Sequence, residues 1–167
     1  MRTIAIAALL ATAAAQGAAL DVNGISGGST PTRAQLETAL GVTCYKDTAP
    51  DAPVPGAMCH GMLRVEGCWA KTETWTDKAG AVEWVHLGFL PECFPAFDAA
   101  ARKKWGKPTG GMRATAVTAY GMKLPVVEHT WDADGWRVTL TNYAVDATEG
   151  WLELRPTPAP EKKGAAL

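Results

Sequence analysis

Four cysteines constrain the fold of this chain most strongly, because each disulfide that they form fixes two distant points of the backbone. They are Cys44, Cys59, Cys68 and Cys93. An even number in an exported chain indicates disulfides, with three possible connectivities. Zinc sites usually bring cysteines in close pairs, whereas the spacings here are 15, 9 and 25 residues. We therefore expect two disulfides and no metal site.

The N-terminus indicates that the chain is exported. Arg2 precedes an apolar run over residues 4–15, and small residues continue to Ala19. This pattern is typical of a secretory signal peptide. The run is too short for a membrane-spanning helix, which needs about 20 apolar residues. We expect residues 1–19 to be removed, leaving a periplasmic or secreted protein with no transmembrane segment.

Two cysteine pairings are the most economical. The proline-rich segment 46–57 lies between Cys44 and Cys59, and a bridge that closes such a loop is worth about 3 kcal/mol. A hairpin folded about residues 78–79 would bring Cys68 near Phe89, a few residues before Cys93. The sequence therefore predicts the disulfides Cys44–Cys59 and Cys68–Cys93.

The hydropathy pattern predicts an α+β fold with two short helices. Helix 30–40 would begin at Thr30-Pro31, and helix 95–105 would end at Gly106, with basic residues in its last turn. Short connections between strands indicate an antiparallel sheet, a hairpin followed by a four-strand meander. We expect one disulfide-stapled domain over residues 20–155, a disordered tail over 156–167 and no internal repeat. The predicted strands are 61–76, 82–90, 112–120, 125–131, 136–145 and 150–155.

The charge distribution argues against a nucleic-acid partner. Without Arg2, the chain has 15 basic and 17 acidic residues. The basic residues are scattered, apart from short runs at 102–104 and 162–163. A nucleic-acid-binding protein needs a basic patch or stripe. The sequence predicts instead that the partner is another protein.

No catalytic constellation stands out, so we expect a protein that is not an enzyme and has no cofactor. The serines of the mature chain, Ser26 and Ser29, lie in a glycine-rich loop. Oxidised cysteines cannot act as thiolates. The remaining candidates show no selective spacing: the histidines His60, His86 and His129, and the strand carboxylates Glu66, Glu73, Glu83, Glu128 and Glu153.

Tryptophan is the compositional oddity, with seven residues against three Phe and three Tyr. We expect Trp69 and Trp105 to fill the core. Trp131 and Trp136 flank a four-residue turn and should face each other across a hairpin. With Trp151, they are the predicted anchors for a partner, because Trp is enriched at binding hot spots. A structural clamp across the turn is the alternative interpretation.

Two segments carry a resemblance to known proteins. Residues 20–25 lead into a Thr-capped helix that ends at Leu40-Gly41, and residues 103–108 precede strands that carry Gly121 and Trp131. Together they resemble small bacterial envelope domains of the outer-membrane-assembly lipoprotein and β-lactamase-inhibitor-protein type. The resemblance implies a non-catalytic protein that works by protein contact. The chain departs from the lipoproteins because it lacks their anchoring cysteine.

The sequence therefore favours a protein-binding domain, and an inhibitor of a secreted hydrolase is the sharpest form of this hypothesis. A glycan-binding or glycan-cleaving envelope protein is the alternative. Exposed tryptophans beside two carboxylates would favour the glycan hypothesis. A broad sheet without a cleft would favour the protein-binding hypothesis.

Overall fold

The computed structural model of this protein describes Val22 and residues 25–45, 48–143 and 148–157. The expected signal peptide, residues 1–19, lies outside this part, and so do residues 158–167 of the expected tail. The last strand continues to Pro156, and the Thr157 N–H donates to the Gly135 carbonyl at 2.8 Å. Regular structure therefore extends past the predicted start of the tail.

Two α-helices form where the sequence predicts them. They are α1 (Arg33–Leu40) and α2 (Phe94–Trp105), and a short 3-10 turn over Pro91–Cys93 leads into α2. The last turn of α2 carries three basic residues, which suit the negative end of the helix dipole. Gly106 then ends the helix with a φ of 78°.

The start of α1 differs from the prediction by two residues. Thr32, rather than Thr30, caps the helix: its hydroxyl accepts the Gln35 N–H at 3.3 Å, and the Gln35 side chain accepts the Thr32 N–H at 2.8 Å. This reciprocal capping box satisfies two main-chain donors that a helix end otherwise leaves open. Gly41 ends the helix in the left-handed conformation that favours glycine.

The described part of the chain forms one eight-stranded sheet in which all neighbours are antiparallel. The order across the sheet is β1-β2-β3-β4-β8-β7-β6-β5. Strands dominate the structure, so the predicted α+β class holds only in its broad outline. The strands are β1 (Val42–Cys44), β2 (Met58–Val65), β3 (Cys68–Thr76), β4 (Val82–Phe89), β5 (Gly110–Val117), β6 (Lys123–Ala133), β7 (Trp136–Thr141) and β8 (Gly150–Pro156).

The predicted strand 61–76 is two strands joined by a tight turn. Glu66 and Gly67 both have positive φ angles, 46° and 88°, as the two central residues of a hairpin turn require. β2 and β3 pair residue by residue on either side of them, from Val65–Cys68 outward. The sheet therefore has one more hairpin than the sequence predicts, and the short strand β1 also went unpredicted.

The chain is organised as two halves with the same element order, a helix followed by four strands. Each half forms a meander, and the two meanders join where β4 pairs with β8. The sequence shows no convincing repeat, because the shared order is carried by backbone topology and not by matching residues. We call the β4–β8 junction the seam.

One face of the sheet, the covered face, packs against the helices and the loops before β2. Phe89 on β4 stacks on Phe97 of α2, with ring centroids 4.1 Å apart. Leu36 and Leu40 of α1 are fully buried. Alternate residues along the strands other than β5 supply the rest of this core, as the two-residue period of a strand requires. The remaining residues of the strands form the opposite face, which we call the open face.

Both predicted disulfides are present. Cys44–Cys59 links β1 to β2, with the Cα atoms 4.3 Å apart. Cys68–Cys93 links the start of β3 to the turn before α2, with a Cα separation of 5.9 Å. Disulfides of this kind are typical of proteins outside the cytoplasm. No helix in the described part of the chain is long and apolar enough to cross a membrane.

Candidate binding face

The open face carries four of the seven tryptophans. Trp69 and Trp75 lie on β3, Trp84 on β4 and Trp151 on β8. Trp69 is 58% exposed and Trp75 is 40% exposed, whereas Trp84 and Trp151 are half-buried. No helix of the described residues packs on this face. Aromatic side chains concentrated on an uncovered surface mark an interaction site.

Two of the three predicted anchor residues lie in the core instead. Trp131 is 1% exposed and Trp136 is fully buried. Their indole N–H groups donate to the Gly106 carbonyl at 3.0 Å and the Ile25 carbonyl at 3.1 Å. Both rings point to the covered face, because the strand period places the polar neighbours of each Trp on the open face. Trp131 and Trp136 therefore cannot anchor a surface partner.

The expected pairing of these two residues also differs from the structure. Trp131 lies opposite Val138, and Trp136 lies opposite Ala133, so they are diagonal neighbours. Trp69, expected in the core, is the most exposed of the open-face tryptophans. Trp105 packs against the core as expected.

An alternating row of charged and ionisable side chains crosses the open face. His60, Glu73, His86 and Glu153 lie directly opposite one another on β2, β3, β4 and β8. Adjacent strands are about 4.8 Å apart, so each carboxylate lies next to at least one imidazole. We call these four residues the central row.

Glu73 lies between a lysine and a histidine. Its Oε1 lies 2.7 Å from the Lys71 Nζ and 3.5 Å from the His60 Nδ1. The hydrogen bond from Lys71 is the main reason that the pKa of Glu73 is lowered. The same bond raises the pKa of Lys71. Glu73 is therefore an ionised acceptor at neutral pH.

Glu153 joins the central row to a tryptophan across the seam. The Trp84 indole N–H donates to Oε2 of Glu153 at 2.8 Å, and the Arg155 Nε donates to Oε1 at 2.6 Å. Burial alone would raise the pKa of Glu153, but the hydrogen bonds from Arg155 and Trp84 outweigh it, so the net pKa is lowered. This carboxyl is also ionised at neutral pH.

His86 lies between two indoles at the centre of the face. Its ring stacks on Trp84 with centroids 5.2 Å apart and tilts against Trp151 at 6.2 Å. Its Nδ1 is buried without a hydrogen-bond partner among the described residues. Burial lowers the pKa of His86, and the carboxylates of Glu153, Glu149 and Glu73 oppose this effect. The ring is therefore a neutral part of an aromatic stack.

Gly88 makes room for a further carboxylate on this face. It lies opposite Trp151 on β8 and Lys71 on β3. A methyl group on Gly88 would overlap the carboxylate of Glu149, which folds over this position. Because Gly88 has no side chain, Glu149 can lie close to Lys71 and His86. Its negative charge acts to raise the pKa of both residues.

Methionine and arginine complete the face near β2. Met58 is 37% exposed and Met62 is 52% exposed. The Arg64 guanidinium lies 5.8 Å from the centroid of the Trp69 ring, within cation–π distance.

Next to Trp75, at the β3–β4 turn, the surface has a wide depression of about 970 Å³. Its lining residues are Pro55, Gly56, Trp75, Thr76, Asp77, Lys78 and Glu83.

The histidines do not form a metal site in the described residues, where no group of three or more His, Cys, Asp or Glu side chains is placed to hold a metal ion. His60 and His86 share the open face but are separated by the strand that carries Glu73. His129 lies on the other face, under α2, with its Nδ1 2.8 Å from Oδ1 of Asp98.

Sequence reasoning found one of the tryptophans of the open face, Trp151, and considered Glu73 and Glu153 without selecting them. It also named His86 without selecting it, and it did not single out Trp75 or Trp84. Their common signal is the alternation in β3 and β4. Trp75 lies between buried threonines, His86 lies between buried Val85 and Leu87, and Trp84 directly precedes Val85.

No protein-family model and no curated protein matches the chain. Among solved structures, it is similar to a DUF4309 family protein (YjgB) from Bacillus subtilis subsp. subtilis str. 168, with 10% sequence identity and a TM-score of 0.33. The match covers 75% of this chain and 78% of the other. A likeness at this level carries no argument about fold or function. The resemblance to envelope lipoproteins and inhibitor proteins stays a prediction.

Proposed function

We propose that this protein binds another protein through the open face and acts outside the cytoplasm, in the periplasm or after secretion. The observation that carries the proposal is the composition of that face on the neighbouring strands β2, β3, β4 and β8, which carry four tryptophans, two exposed methionines (Met58 and Met62) and two arginines (Arg64 and Arg155). Trp, Met and Arg are the residue types enriched at the centres of protein interfaces. The sheet is broad, which suits a protein surface better than a small molecule.

The charges on the face indicate what kind of partner fits. Glu73 is paired with Lys71, and Glu153 is paired with Arg155. Because these charges neutralise one another within the face, the contact energy must come mainly from the exposed rings and thioethers. We therefore expect a folded protein that presents apolar side chains, with few charges at the contact. A secreted hydrolase that this protein inhibits is the most specific form of the proposal.

Glycan binding is the second candidate. One observation favours it: tryptophan rings lie beside the carboxylates of Glu73 and Glu153, the arrangement that the glycan hypothesis predicts. However, the oxygens of Glu73 and Glu153 already accept hydrogen bonds from Lys71, Arg155 and Trp84. Glycan cleavage is less well supported still. Its usual mechanism keeps one carboxyl protonated, whereas the pKa values of both carboxyls are lowered.

Affinity capture with matched variants tests the proposal. The mature, oxidised protein and the variant Trp69→Ala/Trp75→Ala are immobilised and exposed to envelope and culture fractions of the source cells. Tyr120→Ala is the control, because Tyr120 is 92% exposed but lies at the turn between β5 and β6. We expect a protein that the parent and the control retain and the double variant loses by at least tenfold. Equal retention by all three would contradict the proposal.

A glycan array probed with the same three proteins tests the second candidate. The protein-binding proposal predicts no glycan signal that depends on Trp69 and Trp75. A glycan signal lost only in the double variant would replace it.

A further inference from the structure

The two edges of the sheet differ sharply. The edge strand β1 has three residues and is tied to β2 by the Cys44–Cys59 disulfide. At the other edge, all eight residues of β5 are exposed. No strand in the described part of the chain pairs with the outer side of β5. A long, free edge presents a row of unpaired main-chain N–H and C=O groups that can pair with another strand.

The β5 edge also lacks the features by which proteins usually block an edge. It pairs with β6 over eight consecutive residues with no register shift, so no bulge bends it away. It contains no proline, and its one charged residue is Arg113. Met112 and Val117 are 52% and 64% exposed. Free edges are normally protected by charges, proline, bulges or shortness, and β5 has one charge.

The hydrogen-bond pattern shows which residues point to the free edge. The Thr118 N–H donates to the Met122 carbonyl, in the same register as the β5–β6 ladder. In an antiparallel pair, residues alternate between those that bond to the neighbour and those that point away. The even-numbered residues of β5 therefore bond to β6. The residues that turn their main-chain groups outward are Gly111, Arg113, Thr115 and Val117.

We infer that two copies of this protein pair through β5, antiparallel and about a two-fold axis at Ala114, to form one continuous sixteen-stranded sheet. This register uses all four outward-pointing residues of each strand, which gives about eight new main-chain hydrogen bonds. Glycine and alanine make up half of the strand, so the side chains leave room for a close approach.

The position of Arg113 favours a second copy of this protein as the partner of the β5 edge. In this register, Arg113 lies opposite Thr115 of the second copy, and Gly111 lies opposite Val117 of the second copy. The two Arg113 side chains are therefore diagonal neighbours and do not lie directly opposite each other, although the strand pairs with itself. Because the axis is perpendicular to the sheet, the two open faces lie on the same side. The dimer would present two candidate binding faces to one partner surface.

Analytical ultracentrifugation of the mature, oxidised protein over a concentration series tests the inference. We expect a reversible monomer–dimer equilibrium. Thr115→Pro removes an outward N–H while the β5–β6 bonds stay intact, because Thr115 does not bond to β6. This variant should be monomeric, and Thr115→Val should dimerise like the parent. A parent that stays monomeric at all concentrations, or a folded Thr115→Pro that dimerises normally, would overturn the inference.

A charge pair at the same position tests the register and holds even if Thr115→Pro fails to fold. Thr115→Glu places a carboxylate opposite Arg113 of the second copy, twice per dimer, whereas Thr115→Arg places like charges there. Cross-strand charge pairs of this kind predict that the dimer of Thr115→Glu dissociates about tenfold less readily than that of Thr115→Arg. Equal dissociation constants, or the reverse order, would contradict pairing through β5 in this register.

Discussion

The Trp84 indole and the Glu153 carboxylate are hydrogen-bonded across the β4–β8 seam, at a distance of 2.8 Å and a sequence separation of 69 residues. This contact joins the two halves of the chain and fixes the Trp84 ring against His86. The seam therefore carries a polar contact of the open face in addition to its main-chain ladder. The candidate binding face and the stability of the fold are linked at this point.

Trp84→Phe tests that link. The phenyl ring keeps much of the stacking on His86 but removes the indole N–H, which leaves one oxygen of Glu153 without its donor. Hydrogen bonds to a charged group contribute about 1.5–3 kcal/mol, and partial exposure reduces this, so we expect a loss of about 1–2 kcal/mol. Trp69→Phe, at an exposed position on the same face, should change stability little. Urea denaturation measures both, and equal values would contradict the link.

The core tryptophans should behave in the opposite way to the surface ones. Trp136→Ala removes a fully buried ring and its hydrogen bond to the Ile25 carbonyl. Truncation of a buried Trp costs about 3–5 kcal/mol, enough to unfold a marginal domain. Trp75→Ala, at a 40% exposed position, should leave the thermal midpoint nearly unchanged. A larger effect at Trp75 than at Trp136 would contradict the assignment of faces.

The stability of the protein should fall in mild acid because of His86. Burial lowers the pKa of His86 in the folded state. Below the unfolded-state pKa of about 6.5, this histidine therefore binds a proton more readily in the unfolded chain than in the folded protein. Stability is then fully present above about pH 6.5 and is lost as pH falls through the folded pKa. The lowered pKa values of Glu73 and Glu153 add a further loss below about pH 4.5.

The variant His86→Phe should remove the first of these two losses and keep the second. His60→Gln changes the more exposed histidine of the same row, and we expect it to keep both. Denaturation curves at pH 7.5, 6 and 5, within the range where side chains of His titrate, measure the difference. A slope for His86→Phe that matches the parent between pH 7.5 and 5 would show that His86 is not responsible.

The disulfides should contribute through the loops that they close. Replacing both Cys44 and Cys59 with Ser opens a loop of 15 residues, which is worth about 3 kcal/mol in the chain-entropy model. The double replacement avoids a lone thiol, which would exchange with the other bridge. Peptide mapping of the parent without reduction should give Cys44–Cys59 and Cys68–Cys93 peptides. A Cys59–Cys68 peptide would contradict the fold.

Local signals in the sequence account for the parts of the fold that could be predicted. The proline-rich loop between Cys44 and Cys59 predicted one disulfide, and proline and glycine at the ends of α2 predicted that helix. The turn at Glu66–Gly67 was missed because Leu63, Val65 and Trp69 can be read as one continuous alternation. In the structure, the turn places Trp69 on the opposite face from Leu63 and Val65. The seam could not be predicted, because it pairs β4 with a strand more than 60 residues later.

Trp131 and Trp136 were wrongly assigned to the surface because sequence position alone does not say which face of a strand is buried. The alternation around Trp131 did contain a signal, since Thr130 and Asp132 flank it and both are polar. Arg137 follows Trp136 in the same way. Polar neighbours on alternate positions place these two tryptophans on the apolar face. In β3 the buried positions include Thr72, Thr74 and Thr76, so the same rule is less clear there.

Site-specific photo-cross-linking in the exporting cell tests the central proposal most directly. A photoreactive amino acid replaces Met62 on the open face in one variant and Ala99, exposed on α2, in another. We expect irradiation to give a covalent adduct with a distinct protein from position 62 and none with that protein from position 99. Loss of the adduct in the Trp69→Ala/Trp75→Ala background would tie it to the open face. Adducts from position 99 alone, or the same adducts from both positions, would contradict binding through the open face.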